Sequence, residues 1–472
     1  METLQRTANR GSVSTGYDID NSLKFEADNS EKLSRSQTTG TNRKKFTVSF
    51  WVKRTEPGAF QVLAIAEASG NDISFLDFES DDFLRFRDTA SASNQCILET
   101  NRVFRDASAW YHIVLRVDTT LSTADDRARI YVNGVQETSF STRTNFDLND
   151  DTFWGYNGGS LTWGNALGEA NYFSGYVADA YYIDGQSLAP TSFGEVDDDT
   201  GIWKPINASG LTVGNNGYYL DFKDASNLGN DASGGTDFSL TNITSIDQAT
   251  DTPTNNFCTI NPLVDNAFAI FSLTEGGTRG PNTAEGNKAV GTFGVSSGKW
   301  YWEGVTTSAS GTNYWQWGIT RIDMQQGLSH DPGQGSAWYS AENTFLTQTG
   351  VGSSDPTYNT GITSYTVGDI WSISLNCDVS PYQMTLRFNN SVAGTSANNT
   401  DRSVGTFASA DAVMPFYFLY NIASDDTWHN FGNPFIATLS GGNSDENGYG
   451  DFKYAPPTGY YALCSKNLAE FG

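Results

Sequence analysis

The stretch 297-SGKWYWEGVTTS-308 decides how the second half of this chain is read. Trp300, Tyr301, Trp302 and Glu303 stand in a row after Gly298 and Lys299. Such a cluster suits a stacking platform for a sugar, or one core strand of a β-sandwich. Successive side chains of a strand point to opposite faces. Trp300 and Trp302 then share one face, and Tyr301 and Glu303 the other. The stretches that follow alternate in the same way. Trp315, Trp317 and Ile319 share a face in 314-YWQWGIT-320, and Trp371, Ile373 and Leu375 do so in 369-DIWSISLNCD-378. In 384-MTLRFNNSVAG-394, Met384, Leu386 and Phe388 alternate before an Asn-Asn turn. Together the tryptophans read as sandwich core. Glu303 reads as a hydrogen-bonded, partly buried acid, because an unpaired buried carboxylate is costly.

The first half follows the same period. In 46-FTVSFWVKR-54, Phe46, Val48, Phe50 and Val52 share a face, with Thr47, Ser49, Trp51 and Lys53 opposite. Ile113, Leu115 and Val117 alternate in 110-WYHIVLRVD-118. In 128-ARIYVNGVQET-138, Asn133-Gly134 predicts a type I′ hairpin turn, which needs positive φ at both central residues. Residues 1–44 read as a polar arm or anchor, and 45–195 as one sandwich. Residues 196–253 read as a Gly-, Asp- and Asn-rich connector holding one strand at 217–222, and 254–472 as a second sandwich. The predicted fold is therefore all-β, with two antiparallel sandwiches of jelly-roll type in tandem behind an extended arm.

Composition agrees. Charged residues are 17% and aromatics 13%, with 47 glycines, which suits short aromatic strands joined by polar turns. The net charge of −26, from 54 acids against 28 bases, disfavours nucleic acid and anionic lipid as partners. The four cysteines have no paired or zinc-like spacing and read as buried thiols. The three histidines are scattered. No apolar run reaches the roughly 18 residues of a membrane span. METLQRTANRGS lacks the apolar run of a secretory leader, so folding in a cytoplasm is expected.

The motifs 46-FTVSFWVKR-54, 110-WYHIVLRVD-118, 130-IYVNGV-135 and 173-FSGYVADAYYIDGQSL-188 resemble laminin G-like, concanavalin A-like domains. That resemblance implies a sandwich binding glycans or proteins at its loop rim, sometimes through Ca²⁺. Residues 254–472 resemble a SPRY domain, through 298-GKWYWEG-304, 314-YWQWGIT-320, 368-GDIWSISLN-376, 386-LRFNNSVAG-394, 414-MPFYFLY-420 and 430-NFGNPF-435. SPRY domains bind partners through edge loops and bring no catalytic residues. The tandem, with 217-GYYLDFKDASNLGNDASG-234, 251-DTPTNNF-257 and 454-YAPPTGYYAL-463, resembles marine bacteriophage structural proteins. This implies a virion protein of tail-fibre or appendage type, made in the host cytoplasm and exposed on the particle. Its partners would be other virion proteins and a host surface polysaccharide or receptor. A homo-oligomer, a trimer if it forms a fibre, is implied as well. The alternative is a head-decoration or tail-scaffold protein.

Chemistry-bearing motifs fail on context. 294-GVSSG-298 fits G-x-S-x-G, but a strand follows where a nucleophile elbow needs a helix. 195-EVDDDT-200 matches E-x-D-x-x-E only in part, with Thr200 in the third acidic place. Asp77, Glu79 and Asp81 alternate on one face without an evident partner site. No enzyme is expected, and a polysaccharide-degrading activity is the least favoured alternative. No cofactor is required. Asp147, Asn149, Asp150 and Asp151 are candidate Ca²⁺ ligands, because closely spaced oxygens suit a hard cation; the favoured competing reading is an Asx-rich turn whose side chains cap their own backbone. Candidate ligand-binding residues are loop aromatics with nearby amides and acids. In the first sandwich they are Trp154, Tyr156, Asn157 and Trp163. In the second they are His330, Asp331, Trp338, Tyr339, Asp426 and Trp428. The competing reading makes each ring an edge-of-core plug.

Overall fold

The structure, a computed structural model, describes residues 16–165, 170–263, 273–281, 288–308, 314–322, 336–342, 345–349, 358–359, 367–380, 382–392, 402–403, 412–420 and 426–472. The chain divides into two compact units, one Ser14–Thr254 and the other holding Asn255–Gly472. Both are antiparallel β-structures.

The first unit contains, in chain order, β1 (Ser22–Phe25), β2 (Lys32–Ser36), β3 (Lys45–Arg54), β4 (Gln61–Ser69), β5 (Asp72–Phe78), β6 (Phe83–Ala90), β7 (Ser93–Val103), β8 (Tyr111–Asp118) and β9 (Ala128–Val132). It continues with β10 (Val135–Gln136), β11 (Phe140–Thr144), β12 (Ser160–Trp163), β13 (Gly175–Asp184), β14 (Gly194–Val196), β15 (Trp203–Pro205), β16 (Tyr218–Leu220), β17 (Ser239–Thr241) and β18 (Gln248–Ala249). One sheet runs β10-β9-β8-β3-β13-β1-β18, with β16 also on β13; the other runs β11-β7-β6-β5-β4-β12-β2-β17. Their inner faces enclose a core that includes Phe46, Val48, Phe50, Leu76, Phe86, Leu98, Ile113, Leu115 and Trp163.

Two expectations are corrected. Residues 16–44 of the arm and the connector are integral to this unit. β1 takes one half of the free edge of β13 (Leu23↔Val177) and β16 takes the other (Tyr219↔Tyr181). Between them β13 bulges at Asp179, where φ is +49°. β2 lies between β12 and β17, and β18 pairs with β1. The same segments cover the outer face of the first sheet. Leu188, Phe193, Ala208 and Tyr219 pack on Val114, Tyr131, Tyr181 and Ile183. Ile19, Tyr17, Trp203 and Ala249 pack around Trp51, Trp110 and Tyr176. All ten residues of β13 are buried in consequence. The polar face of 46–54 is thus also interior.

Several polar groups beneath this cover are paired, as burial favours. Lys53 Nζ meets Asp251 Oδ2 at 2.7 Å, both side chains fully buried, and Trp110 Nε1 donates to Asp251 Oδ1 at 2.8 Å. Tyr219 OH donates to Asp179 Oδ1 at 2.7 Å. Trp203 Nε1 donates to His112 Nδ1 at 2.9 Å, which leaves Nε2 as the N–H facing Ser49 Oγ at 2.9 Å. Burial pushes the His112 pKa down to about 3. The Trp203 ring lies over the β9–β10 turn, where Asn133 and Gly134 have φ of +48° and +77°. A Cβ at Gly134 would sit 2.4 Å from that ring.

The second unit contains β19 (Arg279–Pro281), β20 (Lys288–Val290), β21 (Lys299–Ser308), β22 (Tyr314–Arg321), β23 (Ser336–Glu342), β24 (Phe345–Thr349) and β25 (Tyr358–Asn359). It continues with β26 (Ile370–Asn376), β27 (Gln383–Phe388), β28 (Ser391–Val392), β29 (Arg402–Ser403), β30 (Val413–Tyr420), β31 (Asp426–Asn430) and β32 (Tyr461–Ala462). One sheet runs β19-β31-β21-β26-β27-β28, with β32 on β21 and β29 on β27; the other runs β20-β30-β22-β23-β24-β25. Trp300, Trp302, Trp317 and Trp371 are buried together between them. Gly304 allows the approach, since a Cβ there would fall 1.8 Å from the Trp317 ring. Glu303 accepts hydrogen bonds from Tyr301 OH (2.8 Å), Lys453 N (2.8 Å) and Tyr454 N (2.9 Å). Burial raises its pKa to about 7. The opening stretch is a core strand whose acid ties down residues 453–454.

Candidate functional site

With the first sheet covered on both sides, the outer face of the second sheet is part-exposed along β6 and β7, although Val62, Ile65, Ile73 and Asp77 on it are buried. β6 and β7 alternate buried and part-exposed residues, as strands with one interior face do. Leu84, Phe86, Cys96 and Leu98 point into the core. Arg85, Arg87, Ile97 and Glu99 therefore face outward. The partners on β5 follow from the register, in which Asp77 stands opposite Arg85 and Phe75 opposite Arg87. Beside them Val62, Ile65 and Ile73 form a small apolar cluster with Phe60 and Phe75, drawn from these strands and their approach alone.

The charged half is unevenly paired. Arg85 Nη2 meets Asp77 Oδ2 at 3.0 Å, and Nη1 meets Glu79, with Glu99 at 4.0 Å. Three acids thus converge on one arginine, whose guanidinium lies 5.7 Å from the Phe60 ring centre. Arg87 lies 4.7 Å over the Phe75 ring but has no hydrogen bond or ion pair among the described residues, and its Nε is buried without a partner. Burial, followed by repulsion from Arg85, lowers its pKa. Asp77 is 0% exposed, and its Oδ1 has no partner. Burial pushes this carboxyl up to about 7 against the pull of Arg85. Asp77 Oδ1 and Arg87 Nε are unpartnered on this face, as are other buried polar atoms elsewhere, such as Arg54 Nε, Asp88 Oδ1 and Trp154 Nε1.

The residues singled out from sequence are dispersed. Trp154 and Trp163, at 1% and 2% exposure, are core residues, which corrects their placement on the rim. Trp154 stacks on Phe46 at 5.4 Å, and Trp163 Nε1 donates to Tyr218 OH at 2.8 Å. The cause is register: Trp163 pairs with Leu33 and Ala64 on the inward side of β12. Tyr156 and Asn157 are exposed, with Arg43 4.9 Å over the Tyr156 ring. His330 and Asp331 lie outside the described residues. Trp338 and Tyr339 fall on β23, paired with Gly318 and Trp317 of β22, which corrects their placement in a loop. Asp426 and Trp428 are also strand residues, on β31 between β19 and β21. Arg279 Nε contacts both Asp426 oxygens, at 2.9 and 3.1 Å, and its guanidinium lies 5.2 Å from the Trp428 ring centre.

In the candidate Ca²⁺ loop, Asp150 Oδ2 accepts from Asp147 N at 2.7 Å while Asp150 N donates to Asp147 O at 3.3 Å, a reciprocal pair that closes the turn, and Asn149 has φ of +71°. Asp151 Oδ1 meets Lys44 Nζ at 2.9 Å. Among the described residues, no three His, Cys, Asp or Glu side chains gather as metal ligands. At 195–200, Asp197 Oδ1 accepts from Thr200 N (2.9 Å) and Oγ1 (2.9 Å), closing a hairpin turn. Neither pattern assembles a paired acid and nucleophile.

Residues 25–188 match the family model of the concanavalin A-like lectin/glucanases superfamily. No curated protein matches the chain. Among solved structures, the SPRY domain of human HERC1 is similar at 14% identity, over 36% of this chain and 96% of that one, with a TM-score of 0.26. Domains LG4-5 of the mouse laminin alpha1 chain are similar at 11% identity, over 86% and 84%, with a TM-score of 0.29. A putative carbohydrate binding protein from Bacteroides ovatus is similar at 14% identity, over 48% and 59%, with a TM-score of 0.35. The family match falls within the first unit.

Proposed function

We propose that this is a non-enzymatic binding protein whose first unit takes a glycan on the outer face of its second sheet. The observation that carries the reading is Arg87 on Phe75 beside Asp77, with polar atoms of both side chains unpartnered. A part-exposed guanidinium stacked on an aromatic ring offers planar donors and a ring face, of the kind that orient a ligand in a binding site. The match of residues 25–188 to the concanavalin A-like lectin/glucanases superfamily supports a carbohydrate-directed sandwich. The test is a glycan array probed with the full chain and with Phe75→Ala. Binding by the wild type that Phe75→Ala weakens supports the reading. Binding untouched by this change places the ligand elsewhere.

The finer reading is a virion surface protein, in a tail fibre or appendage, that contacts a host-cell polysaccharide or receptor. It rests on the sequence resemblance alone. Repetition on a symmetric particle, for example as a trimer, would strengthen weak individual contacts. Labelled antibody against the chain should mark a tail or appendage on intact particles. Marking confined to the capsid shell favours the structural alternative, in which the rims bind other virion proteins.

A further inference from the structure

We propose that Lys24 and Asp247 become joined by an amide bond between their side chains, formed within the folded first unit with Glu31 as the proton carrier. The inference is independent of the glycan reading. Lys24 lies on β1, Asp247 ends the short turn Ser245–Asp247 before β18, and Glu31 immediately precedes β2. Lys24 Nζ stands 3.2 Å from Asp247 Oδ1, with the two side chains only 2% and 3% exposed. Glu31 is buried as well. The backbone holds the three segments together. Leu23 of β1 pairs with Gln248 of β18, and Asn242 Nδ2 donates to Asn29 O at 2.8 Å, so the turn that carries Glu31 lies against the segment leading to Asp247. Glu31 Oε2 accepts from Glu26 N at 2.7 Å, and Oε1 from Asn29 Nδ2 at 3.0 Å. Burial raises this carboxyl to about 8. The Lys24 ammonium pulls it down and the Asp247 carboxylate pushes it up, so Glu31 lies in the field of both. Such a group carries its proton at neutral pH.

The three side chains supply what amide formation needs: an amine, a carboxyl, and an acid that gives and takes a proton. One proton passed within the buried pair gives a neutral amine and a neutral acid, and exclusion of water favours these forms over the ions. The Nζ lone pair then attacks Asp247 Cγ. Thr244 N donates to Asp247 Oδ2 at 2.8 Å, and Thr244 Oγ1 lies 3.4 Å from it, so this oxygen is held as negative charge builds there. The Cγ–Oδ1 bond breaks as Glu31 gives Oδ1 a proton, and Glu31 recovers one from the nitrogen. Two of the three ammonium hydrogens leave with Oδ1 as water and the nitrogen keeps one, so the step needs no oxidant or co-reactant. The fold supplies the proximity that free amine and acid lack. Expelling the water from a closed site disfavours the reverse hydrolysis. The bond would tie the first strand of the unit to its last, so that β1 and β18 cannot part.

The test is intact mass spectrometry of the full chain, purified in the folded state and then denatured. The expected mass is lower than that of the sequence by one water. Trypsin should fail to cut after Lys24, and the peptides holding residues 24 and 247 should emerge joined. Glu31→Gln, with the circular dichroism of the wild type, should keep the full mass of its own sequence, because an amide side chain does not relay the proton. A wild-type mass equal to that of the sequence overturns the proposal. So does a lost water that maps elsewhere, such as a cyclic imide at Asp247 with Lys24 still cleaved. Joined peptides that persist in Glu31→Gln support the bond and overturn Glu31 as its proton carrier. The mass of the unaltered protein decides the bond by itself, so the test stands even if a variant folds poorly.

Discussion

Replacing Asp251 with alanine should cost the first unit about 3–5 kcal/mol, the usual loss when one member of a buried ion pair is removed. Asp251 accepts from Lys53 Nζ at 2.7 Å and Trp110 Nε1 at 2.8 Å, and Lys53 and Asp251 are fully excluded from water. Without it, a buried ammonium and an indole N–H lose their acceptor. For a unit of this size the loss corresponds to a fall in Tm of roughly 6–20 °C. Urea denaturation followed by tryptophan fluorescence measures it. Trp110 and Trp203 lie in the same cluster and report its opening. The double variant Lys53→Met/Asp251→Leu should recover the part of the loss due to the buried ammonium, leaving only the Trp110 N–H without this acceptor. Limited proteolysis gives a second reading: cleavage within 186–250 should rise sharply in Asp251→Ala and return to the wild-type rate in the double variant. A loss below about 1 kcal/mol, with unchanged proteolysis, would show that the 190–254 segment is a connector after all.

Gly134→Ala should destabilise by more than about 1 kcal/mol, since it combines positive φ with a clash against Trp203, and thermal melts will show it. Trp163→Ala should cost about 3–5 kcal/mol as a core truncation, and denaturant unfolding checks this. The pKa of Glu303 is raised in the fold from 4.5 to about 7, so the folded state holds its proton more tightly. Stability of the second unit should therefore fall as pH rises from about 4.5 to about 7, and Glu303→Gln should flatten that slope in melts across the range. The four buried thiols should resist Ellman's reagent in the native protein and all react in denaturant.

Most of the sandwich architecture was legible because long strands with one inward face print their period plainly. Lys45–Arg54, Tyr111–Asp118 and Ile370–Asn376 fall where alternation places them, and Asn133-Gly134 forms the expected turn. The tryptophans of 297–308 are core, and Glu303 is a satisfied buried acid, as the face assignment requires. The arm and connector were misread because β1, β16, β17 and β18 are two to four residues long, too short to show a period. The proposed binding face was half visible. Asp77 and Glu79 stood out as alternating acids, but their meaning depends on Arg85 and Arg87 on the next strand. The signal was present in 83-FLRFRDTA-90, where arginines alternate with Leu84 and Phe86. Aromatic residues in apparent loops were a weaker guide, because a loop tryptophan such as Trp154 can turn inward and plug the core.

The pairing of β1 with β18 has a mechanical consequence. These strands come from opposite ends of the first unit, yet Ser22 lies against Ala249 and Leu23 against Gln248. The chain therefore enters and leaves this unit side by side. A load applied across the two ends opens the β1–β18 pair like a zip, one bond after another, instead of shearing all bonds at once. The same closeness makes the unit a cassette, able to sit within a surface loop of a host protein without stretching it. Joining residues 16 and 254 with a short linker and opening the chain at an exposed turn, such as Ser91–Ala92, would then give a permuted unit with its sheets intact.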